Sequence, residues 1–596
     1  MLKRTRAPLA KVLMASTVGL SLLHATPVLA QGSDAASQNV TINLIRLLVK
    51  QGVISQKAAD ALLREAEQEA AQAKKAKQQP VQTASAPSVD TPPPAGTVRV
   101  PYVPEIVKNQ IRDEVKKEVL QTAREENWAQ PEMLPAWTKH FKLFADFRFR
   151  DENDLFSSKN DPGIIDYATF NANGPTDITS FTNPNGIPFL NTTADRLDRL
   201  SVRARLGVDA TITDGVRFGL RLASGGDNGP VSTTQLLGGG FGKKDFWLDQ
   251  AYLNINPSHW IDANVGRMPN PFVHTDLVYD PDLNFDGAAI STATKRDNAK
   301  GISLFATEGI FPVGYIGNNF PDHGVDTSGL PVGKRNDHTK WLWGNQIGVN
   351  WNTRNFDWRF ATSYYDFASI QGQLSTLCPI YLGAKECSTD YTRPAFMQKG
   401  NTLFLIRQIA VNPSNPNPQP APQFAGLAFK YKLINATSEF TMPVGKYQLL
   451  FDFDYVHNLA YHWTVACRYG LLSPPITNVE GGNLNACDDR KGNSAVLKSG
   501  PDGWYVTTTF GDTETRTPWA WNVSVGYKYL EPDAVPDAFT DSDFHLGGTN
   551  ARGFIVGGSL GLFDNTWLTA RWLSANEVYG PPMAIDVVQL DLNAGL

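Results

Sequence analysis

Arginines recur at alternate positions in one short segment, RLDRLSVRARLGVDA (residues 196–210), and this spacing limits what they can do. Every even position of residues 200–210 is apolar or small, whereas Arg199, Arg203 and Arg205 occupy odd positions. Because successive side chains of a β-strand point to opposite faces, the three guanidiniums share one face. Their positive charge is permanent, so that face can act on ions. The segment therefore predicts a strand with one apolar and one cationic face.

Four further arginines show the same alternation in neighbouring segments. Arg217 and Arg221 lie between apolar residues in VRFGLRLAS, and Arg148 and Arg150 do so in HFKLFADFRFR. Acidic groups occur in YQLLFDFDYVH and in a long connection, residues 269–298; they are Asp452 and Asp454, then Asp276, Asp280, Asp282 and Asp286. The arginines are predicted to form one charged wall. The alternative is that they are ordinary polar residues paired with Asp146, Asp209, Asp452 and Asp454.

The elements that carry these side chains are predicted to be strands, because apolar residues recur with a period of two from residue 139 onward. We predict about sixteen strands, at residues 139–150, 197–213, 215–224, 245–255, 259–268, 299–307, 310–317, 339–352, 356–368, 424–441, 446–459, 516–530, 533–546, 551–563, 566–575 and 584–596. Tight connections alternate with mostly long ones; the tight ones are Asp214-Gly215, Asn256-Pro257-Ser258, Glu308-Gly309, Thr353-Arg354-Asn355, Pro443-Val444-Gly445 and Asp564-Asn565. Short turns on one rim and long loops on the other are typical of outer-membrane barrels.

A soluble β-sandwich or propeller would also show a period of two. The odd positions of residues 519–529 are aromatic at both ends and β-branched between, which is typical of a lipid-facing strand. The last strand is expected to close on the first and to leave no edge. An arginine on the lipid face costs about 2–4 kcal/mol at the midplane, so the arginines should face the water of a wide lumen. The predicted fold class is an all-β transmembrane barrel of about sixteen antiparallel strands.

The region before the barrel divides into four predicted segments. Residues 1–30 combine basic residues, a short apolar run and an Ala-ending site, which predicts a signal peptide and hence export. Residues 31–78 are predicted to form a helical hairpin, and residues 79–103 a Pro/Ala/Ser-rich linker. A charged helix follows at residues 104–135; its narrow apolar stripe predicts a coiled coil or packing on a neighbour, with a solvated tether as the alternative. The barrel then occupies residues 139–596.

The four cysteines fall into two close pairs, Cys378 with Cys387 and Cys467 with Cys487. In an exported chain such pairs are predicted to be local disulfides, because the compartment is oxidising. Metal binding is the alternative, but neither pair has CxxC spacing and no histidine pair accompanies it. No cofactor is predicted.

Taken together, the chain resembles the "putative porin" family of Gram-negative bacteria. The resemblance is carried by LIRLLVKQGVISQKAADALL, VRVPYVPEIVKNQIRDEVKKEV, RFGLRLASGGDNGPVSTTQLLGG, DFWLDQAYLNINP, VGRMPNPF, DPDLNFDG, DFHLGGTNARG and GPPMAIDVVQLDLNAGL. It implies a trimer, a short helical periplasmic segment before an outer-membrane barrel, and an inward-folded constriction loop at residues 269–298. The chain departs from outer-membrane barrels in ending on Leu596 rather than on Phe or Trp.

This arrangement predicts a charged constriction. Arginines on the wall and carboxylates on the loop would set up a transverse field that orients dipolar, hydrated solutes and filters them by charge. Within the loop, Asp282, Asn284 and Asp286 match the start of a calcium loop, but Ala293 stands where a bidentate Glu is needed. An acidic turn is the competing interpretation, and no metal site is predicted.

The predicted function is passive diffusion of small hydrophilic solutes and ions through an outer-membrane channel of a Gram-negative bacterium. The alternative is a structural or surface-interaction barrel whose helices tether the envelope. An enzyme is not predicted: the nine histidines show no Ser, His and acid cluster, and the G-x-S-x-G match at residues 557–561 lies in a predicted strand. The predicted partners are outer-membrane lipid, copies of the chain, and periplasmic or cell-wall components at the helices, but not nucleic acid.

Overall fold

The structure, a computed structural model, describes most of the chain after residue 135. The described residues are 136–179, 186–226, 229–294, 300–315, 339–415, 419–462, 475–480 and 496–596. The predicted signal peptide, hairpin, linker and charged helix, together with Cys467 and Cys487, lie outside them. None of the helices in these ranges is long and apolar enough to cross a membrane.

Sixteen of the described strands form one closed antiparallel sheet. They are β1 Phe141–Phe156, β2 Arg196–Thr213, β3 Val216–Ser224, β4 Phe246–Ser258, β5 Ile261–Pro269, β6 Asn284–Ala293, β7 Gly301–Gly314, β8 Lys340–Asn352, β9 Asp357–Ala368, β10 Tyr431–Val444, β11 Tyr447–Asn458, β12 Asp502–Gly511, β13 Trp521–Leu530, β14 Ala551–Phe563, β15 Thr566–Glu577 and β16 Ile585–Gly595. A short helix, α1 Tyr167–Ala172, lies in the first long loop, where Asp166 caps it. The predicted fold class is confirmed.

The barrel closes where β16 pairs with β1, in a register that runs from Asp146 opposite Gly595 to Phe156 opposite Ile585. The Leu596 backbone N–H also donates to the Ala145 carbonyl at 2.9 Å. Closure pairs the backbone of every strand with two neighbours, which a lipid environment requires because it offers no water to an open edge. The last strand therefore closes on the first, as predicted.

Two predicted strands are wrong and two real strands were not predicted. Glu308-Gly309 is not a turn, since β7 runs through it, and residues 533–546 form an inward loop with two 3₁₀ turns, Asp537–Phe539 and Phe544–Leu546. β6 lies inside the predicted constriction loop, and β12 lies inside a predicted long loop. The errors cancel in the count, which is why the total of sixteen is correct.

Two predicted turns also lie within strands, because β4 extends to Ser258 and β10 to Val444. The short connections in fact join residues at His259-Trp260 and Gly445-Lys446. Short connections and both barrel ends still share one rim, whereas long loops occupy the other.

The outer face is apolar and carries aromatic clusters at both rims. Near the short-turn rim, the ring of Trp521 lies 5.0 Å from that of Tyr447. At the other end of β13, Tyr527 lies 5.3 Å from Trp504 and 4.8 Å from Phe554. From Trp521 to the end of β13 the strand rises by about 30 Å, which suits an apolar band of about 25 Å crossed by tilted strands. The alternation predicted for residues 519–529 is thus found as two aromatic belts.

The inner face on the long-loop side is partly filled by a dry core. Long loops fold inward and bury aromatic side chains against the wall, including Tyr279, Phe285, Phe311, Tyr365 and Phe424. This core lies against β6 to β13, so the polar part of the lumen is displaced toward β1 to β4 and β14 to β16, where the arginines are.

Candidate functional site

The loop between β5 and β6, residues 270–283, crosses the lumen. On one side, the side chain of Gln346 on β8 accepts from the Val273 N–H at 2.9 Å and donates to its carbonyl at 2.8 Å. Thr275 donates to Asp454 on β11 at 2.6 Å. On the other side, Asp282 contacts Arg205 on β2. We call residues 270–283 the crossing loop.

The crossing loop meets the arginines of β2 through one carboxylate. Asp282 Oδ1 lies 3.1 Å from Arg205 Nη1 and 3.4 Å from Arg203 Nη1. Asp146 on β1 lies beneath the same guanidiniums, 2.8 Å from Arg205 Nε and 3.4 Å from Arg203 Nε. Arg203 and Arg205 therefore point into the barrel and are bracketed by two carboxylates.

A second cluster surrounds Arg150, which is almost fully buried. Its guanidinium makes a bidentate contact with Asp591 on β16, at 2.7 and 3.0 Å, and donates to Asp543 at 3.0 Å. Asp543 also accepts from Arg571 on β15. Arg148 lies directly opposite Arg203 in the register and donates to Thr234 at 2.6 Å. Together with the pairs around Arg203 and Arg205, these contacts form a line of charged side chains on the inner wall that runs across β15, β16, β1 and β2.

The other predicted arginines lie at the two ends of this line. Arg199 is 2.7 Å from Glu152 and 3.0 Å from Asp154. Toward the short-turn rim, Arg221 pairs with Asp249 at 2.5 Å, and Arg217 donates to Asn254 at 2.8 Å. Carboxylates lie between most of these arginines and reduce their mutual repulsion, although Arg148 and Arg203 face each other directly across β1 and β2.

The remaining predicted acidic residues lie apart from the arginines of β2. Asp454 is buried and bonded to Thr275 and Asn435, and Asp452 faces the lumen one step along the same strand. Asp276 lies on the crossing loop beside the core, and its backbone carbonyl accepts from Lys528. Asp286 is exposed and pairs with Arg267 at 3.1 Å.

The buried aspartates of the crossing loop differ in charge. Burial opposes ionisation of Asp282, but Arg203 and Arg205 outweigh it and hold its pKa below the usual range. Burial, with Asp541 nearby, raises the pKa of Asp280 to about 8, and the same two causes raise the pKa of Asp276. The loop is therefore less negative at neutral pH than its composition suggests.

Each side chain of the partial match to a calcium loop contacts other protein groups. Asp282 faces two arginines, Asp286 faces Arg267, and the side chain of Asn284 contacts Asp249 and Gln250. Across the part of the chain that the structure describes, no group of three His, Cys, Asp or Glu side chains could hold a metal ion.

One disulfide is present among the described residues. It joins Cys378 to Cys387 within the long loop between β9 and β10. This pairing is as predicted, whereas Cys467 and Cys487 lie outside the described residues.

Asp280 leads to a pH prediction. Because its pKa is raised in the folded state, the stability that it contributes is present at low pH and is lost as the pH rises toward 8. Replacing it with Asn should flatten this slope, so that the loss of unfolding free energy between pH 5 and pH 8 shrinks by at least about 1 kcal/mol. Urea unfolding at both pH values measures it. Asp286→Asn, at an exposed carboxylate, is the control and should keep the wild-type slope.

Sequence reasoning missed three members of the cluster around Arg150, namely Asp543, Asp591 and Arg571, and also the acidic partners Glu152, Asp154 and Asp249. Asp591 shares the inward phase of IDVVQLDLNAG and could have been found from it. Asp543 could not have been found in this way, because the sequence predicts a strand at residues 533–546. In the structure this segment folds inward as a loop.

The closed barrel, its apolar outer face and its charged lumen define a membrane channel protein. The chain belongs to the family described as "putative porin", which matches residues 38–596. It is accordingly an outer-membrane channel protein, and its family and fold indicate a channel rather than an enzyme. The resemblance seen in the sequence is confirmed.

Solved structures with a similar arrangement share little sequence with this chain. The outer-membrane channel DcaP of Acinetobacter baumannii is 9% identical with a TM-score of 0.34, covering 76% of this chain and 97% of its own. OprB of Pseudomonas putida is 9% identical with a TM-score of 0.38, covering 77% and 94%. OmpT of Vibrio cholerae is 8% identical with a TM-score of 0.35, covering 78% and 100%. A comparison with curated proteins finds no match.

Proposed function

We propose that this channel passes small hydrophilic solutes and ions by passive diffusion along the arginine side of the lumen. The observation that carries the proposal is the partial exposure of the paired guanidiniums. Arg203, Arg205 and Arg221 keep 18%, 16% and 15% of their side-chain surface exposed, although each is ion-paired inside the barrel. Charged groups that remain wet on the inner wall are what a hydrated solute requires.

The charge pattern supports a narrow, polarised constriction. Asp282 contacts the β2 arginines directly, so positive and negative groups alternate along one wall and the field between them is local. Such a field orients dipolar solutes while the opposed charges limit the net preference for either ion sign. Within this proposal Arg203, Arg205, Arg217 and Arg221 govern ion preference, since all four place positive charge on the inner side of β2 and β3.

The proposal extends to the surroundings of the barrel. The apolar outer face contacts outer-membrane lipid, and the N-terminal segment lies in the periplasm, where it contacts periplasmic or cell-wall components. The chain assembles as a homo-oligomer, with three copies as the proposed number. The short-turn rim, where β1 begins and β16 ends, supports a periplasmic position for the preceding segment.

Single-channel recording tests the function. Purified protein added to a planar bilayer should produce stepwise conductance increments, and a small neutral sugar should enter protein-containing liposomes faster than empty ones. Detergent carried through the same purification from cells that lack the protein is the control. Correctly folded protein that inserts but gives no steps would contradict the channel and favour the structural barrel.

A further inference from the structure

A short segment of the inward loop after β13 has a backbone conformation that is unfavourable for two of its residues. Four consecutive residues have positive φ angles, namely His545 (56°), Leu546 (58°), Gly547 (86°) and Gly548 (86°). Glycine adopts this left-handed region without strain, but His545 and Leu546 each carry a Cβ that crowds the backbone there. We call residues 545–548 the strained segment. Such a conformation persists only where contacts from the rest of the fold hold it.

Lys399, in the long loop between β9 and β10, makes these contacts. Its ammonium group donates to the Gly547 carbonyl at 2.7 Å, to His545 Nδ1 at 3.1 Å and to the His545 carbonyl. The three acceptors match the three hydrogens of the ammonium group, and none of them is a carboxylate. In the opposite direction, the Thr549 N–H donates to the Lys399 carbonyl at 2.9 Å. Lys399 thus bonds two residues of the strained segment and the residue that follows it.

The ring of His545 extends the connection to a third loop. Its Nε2 lies 2.7 Å from the carbonyl of Met583, between β15 and β16. A carbonyl can only accept, so Nε2 carries the ring proton and Nδ1 is left as an acceptor for Lys399. His545 is 3% exposed, so these protein groups take the place of water at both ring nitrogens. Three long loops therefore meet at the strained segment.

The strained segment follows a charged group of the arginine cluster. Asp543 lies two positions before His545, and its carboxylate accepts from Arg150 at 3.0 Å and pairs with Arg571 at 2.5 Å. The side chains of Asp543 and Arg571 keep 25% and 28% of their surface exposed. Where the Asp543 carboxylate lies depends on the direction in which the backbone leaves this residue, and the strained segment sets that direction.

We propose that Lys399 is a positioning residue of the charged constriction: it holds the strained segment and thereby keeps Asp543 in contact with Arg150 and Arg571. The inference rests on the proposed function, because it concerns charges along the path of the solute. When the contacts of Lys399 are lost, the strained segment relaxes and Asp543 moves away from its partners. The two guanidiniums then have less negative charge nearby, so the channel prefers anions more strongly.

Replacing Lys399 with Met tests the proposal through the sign of the effect. The substitution removes a positive charge, so a purely electrostatic role of the lysine would lower the anion-to-cation permeability ratio. Release of Asp543 instead raises this ratio, by about threefold or more, in reversal potentials across a planar bilayer. The loops stay docked in this variant, because Gln398 still donates to the carbonyls of Asp537 and Thr540 at 2.8 and 2.9 Å. An unchanged or lowered ratio would overturn the proposal.

Three further variants separate positioning from general damage to the loops. His545→Gln keeps an acceptor for Lys399 and a donor for Met583 and should stay within about 1.5-fold of the wild-type ratio, whereas His545→Leu keeps neither and should raise it. Lys385→Met, at an exposed lysine of the same loop, is the matched control for the lost charge and should leave the ratio unchanged. In an Asp543→Asn background, Lys399→Met should have no further effect, because the group that it positions is no longer charged. A further rise in that background would show that Lys399 does not act through Asp543.

Channel activity is recorded in the same bilayers, so the two proposals fail in different ways. Wild-type protein that inserts without conductance steps contradicts the proposed function. Wild-type steps together with an unchanged permeability ratio in Lys399→Met contradict only the role of Lys399.

Discussion

Replacing Arg203 and Arg205 together with Ser shifts the channel toward cations, and the anion-to-cation permeability ratio falls about tenfold. The two guanidiniums are the partly exposed positive groups where the crossing loop meets β2. Their loss leaves the carboxylates of Asp146 and Asp282 unbalanced at the same place. Reversal potentials across a planar bilayer with a salt gradient measure the ratio.

Two further variants separate charge from shape. Asp282→Asn removes the opposing charge at the same contact, so the ratio is expected to rise. Arg203→Lys with Arg205→Lys keeps both charges and should stay within about twofold of wild type. The barrel survives these changes because the crossing loop keeps its contacts with Gln346 and Lys528. A reversal potential that stays unchanged when Arg203, Arg205, Arg217 and Arg221 are all replaced with Ser would contradict the role of the arginines.

Replacing Arg150 with Met is expected to lower the free energy of unfolding by about 3–5 kcal/mol. Arg150 is 2% exposed and joins β1 to Asp591 on β16 and to Asp543 in the loop after β13. Removing it leaves the carboxylates of Asp543 and Asp591 with less positive charge nearby, in a poorly hydrated part of the lumen. This place lies beside β1 and β16, the strand pair that closes the barrel. Urea unfolding of protein folded into lipid vesicles measures the change.

The control for Arg150 is an exposed ion pair at the long-loop end of β9 and β10. Lys432 pairs with Asp366 at 2.8 Å, but its side chain is 45% exposed, so Lys432→Met should cost less than about 1 kcal/mol. A loss below 1 kcal/mol for Arg150→Met would show that the cluster around Asp543 and Asp591 is not what holds β1 to β16.

The strands were largely predictable because lipid imposes one apolar face on each of them. β2 is the clearest case: every second residue from Leu200 to Ala210 is apolar or small, and the arginines between them point inward. β12 was missed because aromatic and Thr residues occupy both of its faces, so alternation in polarity is weak. β6 was missed because its start, Asn284-Phe285-Asp286-Gly287, has the composition of a turn.

The inward loops could not be told from strands by periodicity. Residues 533–546 are apolar or small at even positions, which resembles a strand, but in the structure side chains of both phases are buried, as Val535 and Phe544 are. The periodicity of a short segment therefore does not show whether the segment lies in the wall or folds inward.

The sequence by itself determined the class of fold, the near count of strands, the inward phase of the arginines and the alternation of short turns with long loops. Each follows from local alternation and from the cost of polar groups in lipid. Only the tertiary structure decided which charges meet, as Arg150 and Asp591 do across 441 positions, and Asp282 with Arg205 across 77. Those partners depend on how loops fold into the lumen and where the barrel closes, and no local spacing encodes either.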